Sequence, residues 1–316
     1  MSVSIDQVWA AAERIAPHAH RTPVLRSRSL EQMVGAEIHF KAENLQRVGA
    51  FKFRGACNAV WSLSDGEAQR GVVTHSSGNH GQALALAARS RGIPAYVVMP
   101  EDTAKPKLAA VRAYGAETIL CAPSLAAREQ ISAEVQQRTG AQMIHPYADA
   151  RIIAGQATAA LELLREVGRV DSLIAPVSGG GLLAGSAVSL GALCPNAQII
   201  GAEPEGANDA WQSMARGERV EIAAPNTICD GLRANLGAIN FEILKHHQAR
   251  ILTVCDAESV AALRLVWERM KIIIEPSCAT VVAVLLRYRE QFAGQRVGVI
   301  FSGGNIDLDA LPWVKG

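Results

Sequence analysis

Short apolar runs alternate with amphipathic stretches along most of this chain, and that alternation limits the fold more than any other feature. Residues 71–75, 95–99, 118–121 and 142–145 read as strands. Between and after them, 82–91, 105–114, 124–139 and 152–167 carry apolar residues at helical spacing. The rhythm resumes with a strand over 172–177, a helix over 185–193 and a strand over 198–203. It returns with a strand at 250–254, a helix at 256–271 capped by Asp256 with Glu258 in its first turn, and a last strand at 295–301. Nearer the start, 6–15 and 55–63 predict helices and 36–42 a strand, while Arg21-Thr22-Pro23-Val24 predicts an extended segment. Strands alternating with helices mean βαβ units and parallel sheets. So many units predict an α/β protein with two parallel sheets, the block 71–148 forming a small domain inserted in a larger one built from 1–70 and 149–316.

Composition narrows the function classes. The 316 residues are 49% hydrophobic and 19% charged, with a net charge of +1 and no basic run. That gives no reason to expect nucleic acid or a membrane surface as partner. Six cysteines stand apart with no CxxC pair, against a structural zinc site or a disulfide framework. No apolar run approaches the ~20 residues of a membrane span. The start of the chain lacks a charged-then-apolar pattern. The expectation is a cytoplasmic protein.

Lys52 is the first candidate for chemistry. It lies between Phe51 and Phe53, with Gly49 and Gly55 bracketing the set. A lysine in an apolar pocket loses hydration, its pKa falls, and it becomes a nucleophile or base. Such an amine serves as a Schiff-base former with a carbonyl or with pyridoxal phosphate. A snorkelling lysine that covers apolar surface with its stem is the plainer alternative.

Three glycine-rich turns follow strands. His75-Ser76-Ser77-Gly78-Asn79-His80-Gly81 opens a helix, where converging N–H groups make an anion site. Ser178-Gly179-Gly180-Gly181-Leu182 bares its backbone ahead of another helix, as a phosphate requires. The same turn fits G-x-G-x-x-A through Ala184, with Glu203 about 20 residues on, so an NAD-dependent dehydrogenase is open at this point. Ser302-Gly303-Gly304-Asn305 closes the last strand and lies outside any dinucleotide pattern. One small ligand held from several βα turns accounts for all three. Glu203, Glu205 and Asp209 have oxygen ligands at a spacing that suits Mg²⁺ or Ca²⁺, or form a solvated acidic turn. His246 and His247 read as surface, Trp267 and Met270 as packing.

Taken together, Gly49-Ala50-Phe51-Lys52-Phe53-Arg54-Gly55-Ala56, Ser76-Ser77-Gly78-Asn79-His80 and the Ser178–Leu182 turn resemble a fold-type-II pyridoxal phosphate enzyme of the serine racemase and serine/threonine dehydratase family. The resemblance runs from Arg21-Thr22-Pro23-Val24 to Ser302-Gly303-Gly304-Asn305-Ile306-Asp307-Leu308. It takes in Ile153-Ala154-Gly155-Gln156, Asp230-Gly231-Leu232-Arg233 and Ile274-Glu275-Pro276-Ser277. It implies the tryptophan synthase β-like architecture, with the active site in the cleft between the two domains. By the same resemblance, Lys52 holds the cofactor as an imine and then acts as base at the substrate Cα. Phe51 packs by the cofactor ring, and Asn79 bonds its phenolic oxygen. The N–H groups of Ser178, Gly179, Gly180, Gly181 and Leu182 cradle its phosphate, and Ser302 faces the pyridine nitrogen. A neutral hydroxyl there makes the ring a weaker electron sink, an arrangement the family pairs with β-elimination. Ser76, Ser77, Asn79 and His80 hold the substrate carboxylate. Ser77 matches the serine that exchanges a proton on the face opposite the lysine in serine racemases. Glu203, Asp209 and the carbonyl of Ala207 match a divalent-cation site for Mg²⁺, Ca²⁺ or Mn²⁺. A homodimer is implied as well.

Three positions depart from the family pattern: Ala50 replaces a frequent serine, Ser178 opens a loop that is often four glycines, and Tyr147 replaces the asparagine of some racemases. The expected activity is dehydration of L-serine or L-threonine to a 2-keto acid and ammonia, with serine racemisation beside it. Hydroxyaspartate dehydratases are the near alternative. A second substrate carboxylate calls for an arginine fork, for which Arg128 and Arg233 are the candidates.

Overall fold

The computed structural model describes residues 3–76, 78–103 and 105–313. Ten strands fall into two sheets. The larger contains β1 (Val24–Leu25), β2 (Glu37–Ala42), β7 (Ser172–Pro176), β8 (Gln198–Pro204), β9 (Arg250–Val254) and β10 (Arg296–Phe301), in the order β1-β2-β10-β7-β8-β9. Only β1 runs antiparallel, pairing Val24 with Lys41. The smaller sheet is parallel throughout, with β3 (Val72–His75), β4 (Ala95–Pro100), β5 (Glu117–Cys121) and β6 (Gln142–Met143) in the order β5-β4-β3-β6. The protein is thus α/β with two parallel sheets.

Helices cover both faces of the larger sheet, as parallel sheets require. On one face α1 (Ile5–Ile15), α8 (Ala150–Val167), α9 (Gly181–Leu193) and α11 (Ala238–His246) supply Ala11, Leu163, Leu183 and Leu244 to one core. On the other, α2 (Arg28–Val34), α12 (Asp256–Met270), α13 (Pro276–Arg287) and α14 (Arg289–Phe292) supply Leu30, Leu263, Val281 and Phe292 to a second. The expected packing of Trp267 and Met270 is observed there. A third core joins α3 (Lys52–Trp61) and α5 (Asn79–Arg91) to Val72 and Val97 of the smaller sheet. The shorter α4 (Asp65–Arg70) and α10 (Asp209–Arg216), with α6 (Lys105–Ala113) and α7 (Leu125–Thr139), complete the helices of the described residues.

Several boundaries differ from expectation, each for a physical reason. The helices expected at 82 and 185 begin earlier, at Asn79 and Gly181, so their free N–H groups reach back into the glycine turns. Strand β6 stops at Met143, because the His145 ring accepts the N–H groups of Tyr147 (3.3 Å) and Ala148 (2.9 Å) and turns the chain. The cap of α12 is Cys255 rather than Asp256. The Asp256 carboxylate instead accepts from Thr227 Oγ1 at 2.5 Å and Ile228 N at 3.0 Å.

Lys52 is the first residue of α3, and the segment before it is fastened to the end of β10. Ala50 bridges Gly303, Phe51 N donates to Ser302 O at 2.9 Å, and Gly304 N donates to Gly49 O at 2.9 Å. Behind it, α3 and α8 touch at two glycines. A Cβ on Gly155 would lie 2.6 Å from Gly55 Cα and 2.7 Å from Arg54 O. Gly155→Ala therefore forces the helices apart, at a cost of about 1–3 kcal/mol. The melting temperature of the variant should fall below that of the parent; an unchanged value would contradict this close packing.

Candidate active site

The three glycine turns and Lys52 come together. Lys52 is partly buried, its Nζ donates to Pro146 O at 2.9 Å, and it lies 5.1 Å from the Phe51 ring centroid. Burial lowers its pKa to about 8, against the pull of the Glu275 carboxylate. Glu275 is itself buried, and burial raises it to about 7 although Asn79 donates to it. Asn79 Nδ2 is 3.2 Å from both carboxylate oxygens.

At the start of α5 the half-buried Ser76 accepts the N–H of Gly78 at 3.3 Å. His80 is buried, with Nε2 3.4 Å from Ile144 O and Nδ1 without a partner among the described residues. Burial first, then the charge of Lys52, pushes its pKa well below the ordinary imidazole value. His145, whose Nδ1 accepts two backbone N–H groups, is brought down to about 4, mainly by burial. Both rings are neutral donors or acceptors near pH 7. Ser77 lies outside the described residues.

The turn before α9 has the form of an anion cradle. Gly180 caps the helix with φ +91°, a conformation that favours glycine. A Cβ on Gly179 would collide with the Tyr147 ring, and one on Gly180 would lie 2.5 Å from Leu236 Cδ1. The N–H groups of Gly179, Gly180, Gly181 and Leu182 donate to no other protein group among the described residues. Ser178 Oγ is exchanged with the N–H and C=O of Ala234, both at 3.1 Å. Buried Asn240 Oδ1 beside this turn has no partner among the described residues. A free cradle, an amine of lowered pKa and unpartnered polar atoms fit an anionic carbonyl cofactor such as pyridoxal phosphate. Ser302 is buried at the end of β10, beside the Cys278 thiol that burial pushes up to about 12.

Glu203 and Asp209 are both buried, and burial raises both carboxyls: Asp209 to about 6, and Glu203 well above its usual range with the Asp209 charge adding to it. Glu203 accepts from Ala210 N and Trp211 N at 2.9 Å each, and Asp209 from Leu236 N at 2.7 Å. Ala207 is buried in the 3₁₀ turn between them, while the exposed Glu205 pairs with Arg287 at 2.7 Å. Two buried, mutually repelling carboxylates suit a divalent cation in their chemistry. Among the described residues, however, no cluster of three His, Cys, Asp or Glu side chains has metal-binding geometry. With both Glu203 oxygens engaged by α10, this residue is not presented to a ribose as the dinucleotide pattern requires.

Arg128 lies in the first turn of α7, half-buried, with Nε donating to Ser124 O at 3.3 Å. Its charge reaches His75 and Tyr147 and helps lower the pKa of His75, which burial chiefly depresses. Arg233 is exposed and folds onto its own loop, donating twice to Thr227 O, so it is not in the site. Sequence reasoning assigned no role to Glu275, Asn305 or Asn240. The signal for Glu275 was a lone carboxylate ending the apolar run Ile272-Ile273-Ile274.

Comparison with known proteins agrees with this geometry. Residues 15–303 match the family model described as pyridoxal-phosphate dependent enzyme. The chain is 47% identical to the beta-hydroxyaspartate dehydratase of Paracoccus denitrificans, with 98% of each chain covered. It superposes on the crystal structure of serine racemase from Dictyostelium discoideum with a TM-score of 0.94 at 44% identity, covering 98% of this chain and 100% of that one. The crystal structure of the T.th. threonine deaminase gives a TM-score of 0.92 at 41% identity, covering 96% of this chain and 99% of that one. No helix among the described residues is long and apolar enough to cross a membrane. The chain belongs to the pyridoxal-phosphate dependent enzymes, in the fold-type-II branch of serine racemases and threonine deaminases.

Proposed function

We propose that this protein is a dehydratase (ammonia-lyase) of small β-hydroxy amino acids, converting L-serine or L-threonine to a 2-keto acid and ammonia, with serine racemisation as a second activity. The observation that carries the reading is Lys52, an amine with its pKa lowered to about 8 beside a free glycine cradle. Bound pyridoxal phosphate supplies the electron sink that makes the substrate Cα–H acidic. Lys52 anchors that cofactor and then holds the Cα proton. Phe51 packs by the ring, Asn79 faces the phenolic oxygen, and Ser302 faces the pyridine nitrogen. Ser178, Gly179, Gly180, Gly181 and Leu182 hold the phosphate by their N–H groups. The N-terminus of α5, with Ser76, Asn79 and His80, orients the substrate carboxylate. Neutral His80 and His145 add no competing positive charge beside Lys52. Ser77 on the opposite face completes inversion in this reading, which for that residue rests on the family resemblance.

The same reading places the site in a cleft between domains 1–70 with 149–316 and 71–148. Glu203, Asp209 and the carbonyl of Ala207 would hold Mg²⁺, or Ca²⁺ or Mn²⁺, in this reading. In this reading the protein works as a cytoplasmic homodimer.

A second reading, hydroxyaspartate dehydration, is favoured by one observation: Arg128, a cation acting on His75 and Tyr147, suits a second carboxylate. Keto-acid release from L-serine, L-threonine and the hydroxyaspartate isomers, with pyridoxal phosphate and Mg²⁺ supplied, separates the two. Turnover of serine or threonine is expected. A preference for hydroxyaspartate that Arg128→Ala removes moves the specificity to the second reading, and no keto acid from any substrate overturns both. Lys52→Ala should abolish the bound chromophore and all turnover. The pH dependence of cofactor capture follows from the lowered amine. Lys52 is protonated and unreactive below about 8 and neutral above it. Stopped-flow absorbance of apoenzyme mixed with pyridoxal phosphate should therefore show a rate that climbs through that pH, and a flat profile would refute the assignment.

A further inference from the structure

Asn79 is held from two sides. Its Nδ2 meets both oxygens of Glu275 at 3.2 Å, and its Oδ1 accepts from Asn305 Nδ2 at 2.9 Å. Asn305 is braced in turn: Nδ2 also donates to Val48 O at 2.7 Å, and its backbone N–H donates to Glu275 Oε2 at 3.1 Å. A carboxylate only accepts hydrogen bonds. An ionised Glu275 therefore fixes which way the Asn79 amide faces, because the reverse orientation sets a carbonyl oxygen against a negative charge. The NH₂ group has two hydrogens, and the carboxylate engages one of them. A protonated Glu275 can donate, so it no longer enforces this orientation, and the Asn79 amide is then held only by Asn305, whose own NH₂ is fixed by Val48 O.

We propose that Glu275 is a positioning residue: as a carboxylate it holds the Asn79 amide together with Asn305 so that the remaining N–H donates to the phenolic oxygen of the cofactor, and its protonation leaves that amide held from the Asn305 side alone. This rests on the reading that Lys52 anchors the cofactor and that Asn79 faces its phenolic oxygen. The groups that face Glu275 are Lys52 from α3, Lys107 from α6, Asp230 from the 3₁₀ turn Asp230–Leu232, and Cys278 from α13. Lys107 and Asp230 pair at 2.5 Å and largely offset each other, and the Cys278 thiol stays neutral. Burial therefore dominates, and it brings Glu275 to about 7. Above that pH Asn79 is held from both sides, and below it from the Asn305 side alone.

The test is the absorbance of the holoenzyme cofactor between roughly pH 5 and 9, spanning the shifted carboxyl. The parent protein should show one transition with its midpoint near 7. Glu275→Gln both donates and accepts, and should keep a single spectrum across the range. Asn305→Asp sets a carboxylate against Asn79 Oδ1, favouring the reversed amide, and should move the midpoint to higher pH. Circular dichroism and cofactor stoichiometry report folding. Should Glu275→Gln fold poorly, Asn305→Asp decides alone, and an unmoved midpoint overturns the proposal. A transition that persists in a folded Glu275→Gln, or that is absent from the parent, also overturns it. A chromophore that survives Lys52→Ala overturns the cofactor assignment underneath instead.

Discussion

The removal of the Lys52 amine from water is the constraint on which the rest of the site depends. An ammonium in an apolar setting is unstable relative to the free amine, and a flexible lysine would escape by swinging outward. Lys52 is restrained by its segment. Ala50 bridges Gly303, Phe51 N is bonded to Ser302 O, and the helix that Lys52 begins is pressed onto α8 at Gly55 and Gly155. Its Nζ finds one carbonyl, that of Pro146. The reactivity of the amine is thus a property of chain packing, in which strand β10, helix α3 and helix α8 each have a part.

A second buried cation two residues on has the opposite treatment. Arg54 is bonded to both oxygens of Glu43 at 2.6 and 2.8 Å and to both of Glu162 at 2.7 and 2.8 Å, and Glu162 also pairs with buried Lys41 at 2.6 Å. Two cations are balanced by two carboxylates, with Thr158 and Thr22 satisfying further positions. Removing one member of such a set leaves an unpaired buried charge, typically a loss of about 3–5 kcal/mol. The network fixes the register of α3 against α8 and β2. Arg54 is thereby held as a permanent cation and Lys52 is left as a titratable one, on the same turn of the same helix.

The fold was legible because its core elements repeat one pattern: apolar β runs such as Val72–His75 and amphipathic helices such as α12 (Asp256–Met270). Elements without that pattern escaped. Helix α13 contains Thr280, Val281, Val282 and Val284, β-branched residues whose helical state comes from packing between α12 and the sheet rather than from propensity. At the site, the residues legible in the sequence sit on glycine turns, where backbone geometry leaves a local mark. Glu275, Asn305 and the Arg54 cluster were not legible, because their meaning lies in burial and in partners far away in the chain, as Glu275 and Asn79 are. Asp256 and Arg233 misled because Thr227 took both side chains, Asp256 through a hydrogen bond from a distant loop and Arg233 within its own loop.

Charge is what separates the two substrate readings. Near Lys52 the imidazoles of His80 and His145 are neutral, so they add no positive charge to the burial that lowers the Lys52 amine and that Glu275 opposes. In the proposed function a substrate with one carboxylate would need only the N–H groups at the α5 N-terminus. A second carboxylate would call for a cation, and the charged groups that act on His75 are Arg128 and, with the opposite sign, Glu129. Arg128 is thus partly offset by its neighbour in sequence and spends one donor on Ser124 O. A distal carboxylate would have to compete with both. In the proposed function that competition, rather than the Arg128 charge alone, would decide how a second carboxylate is received.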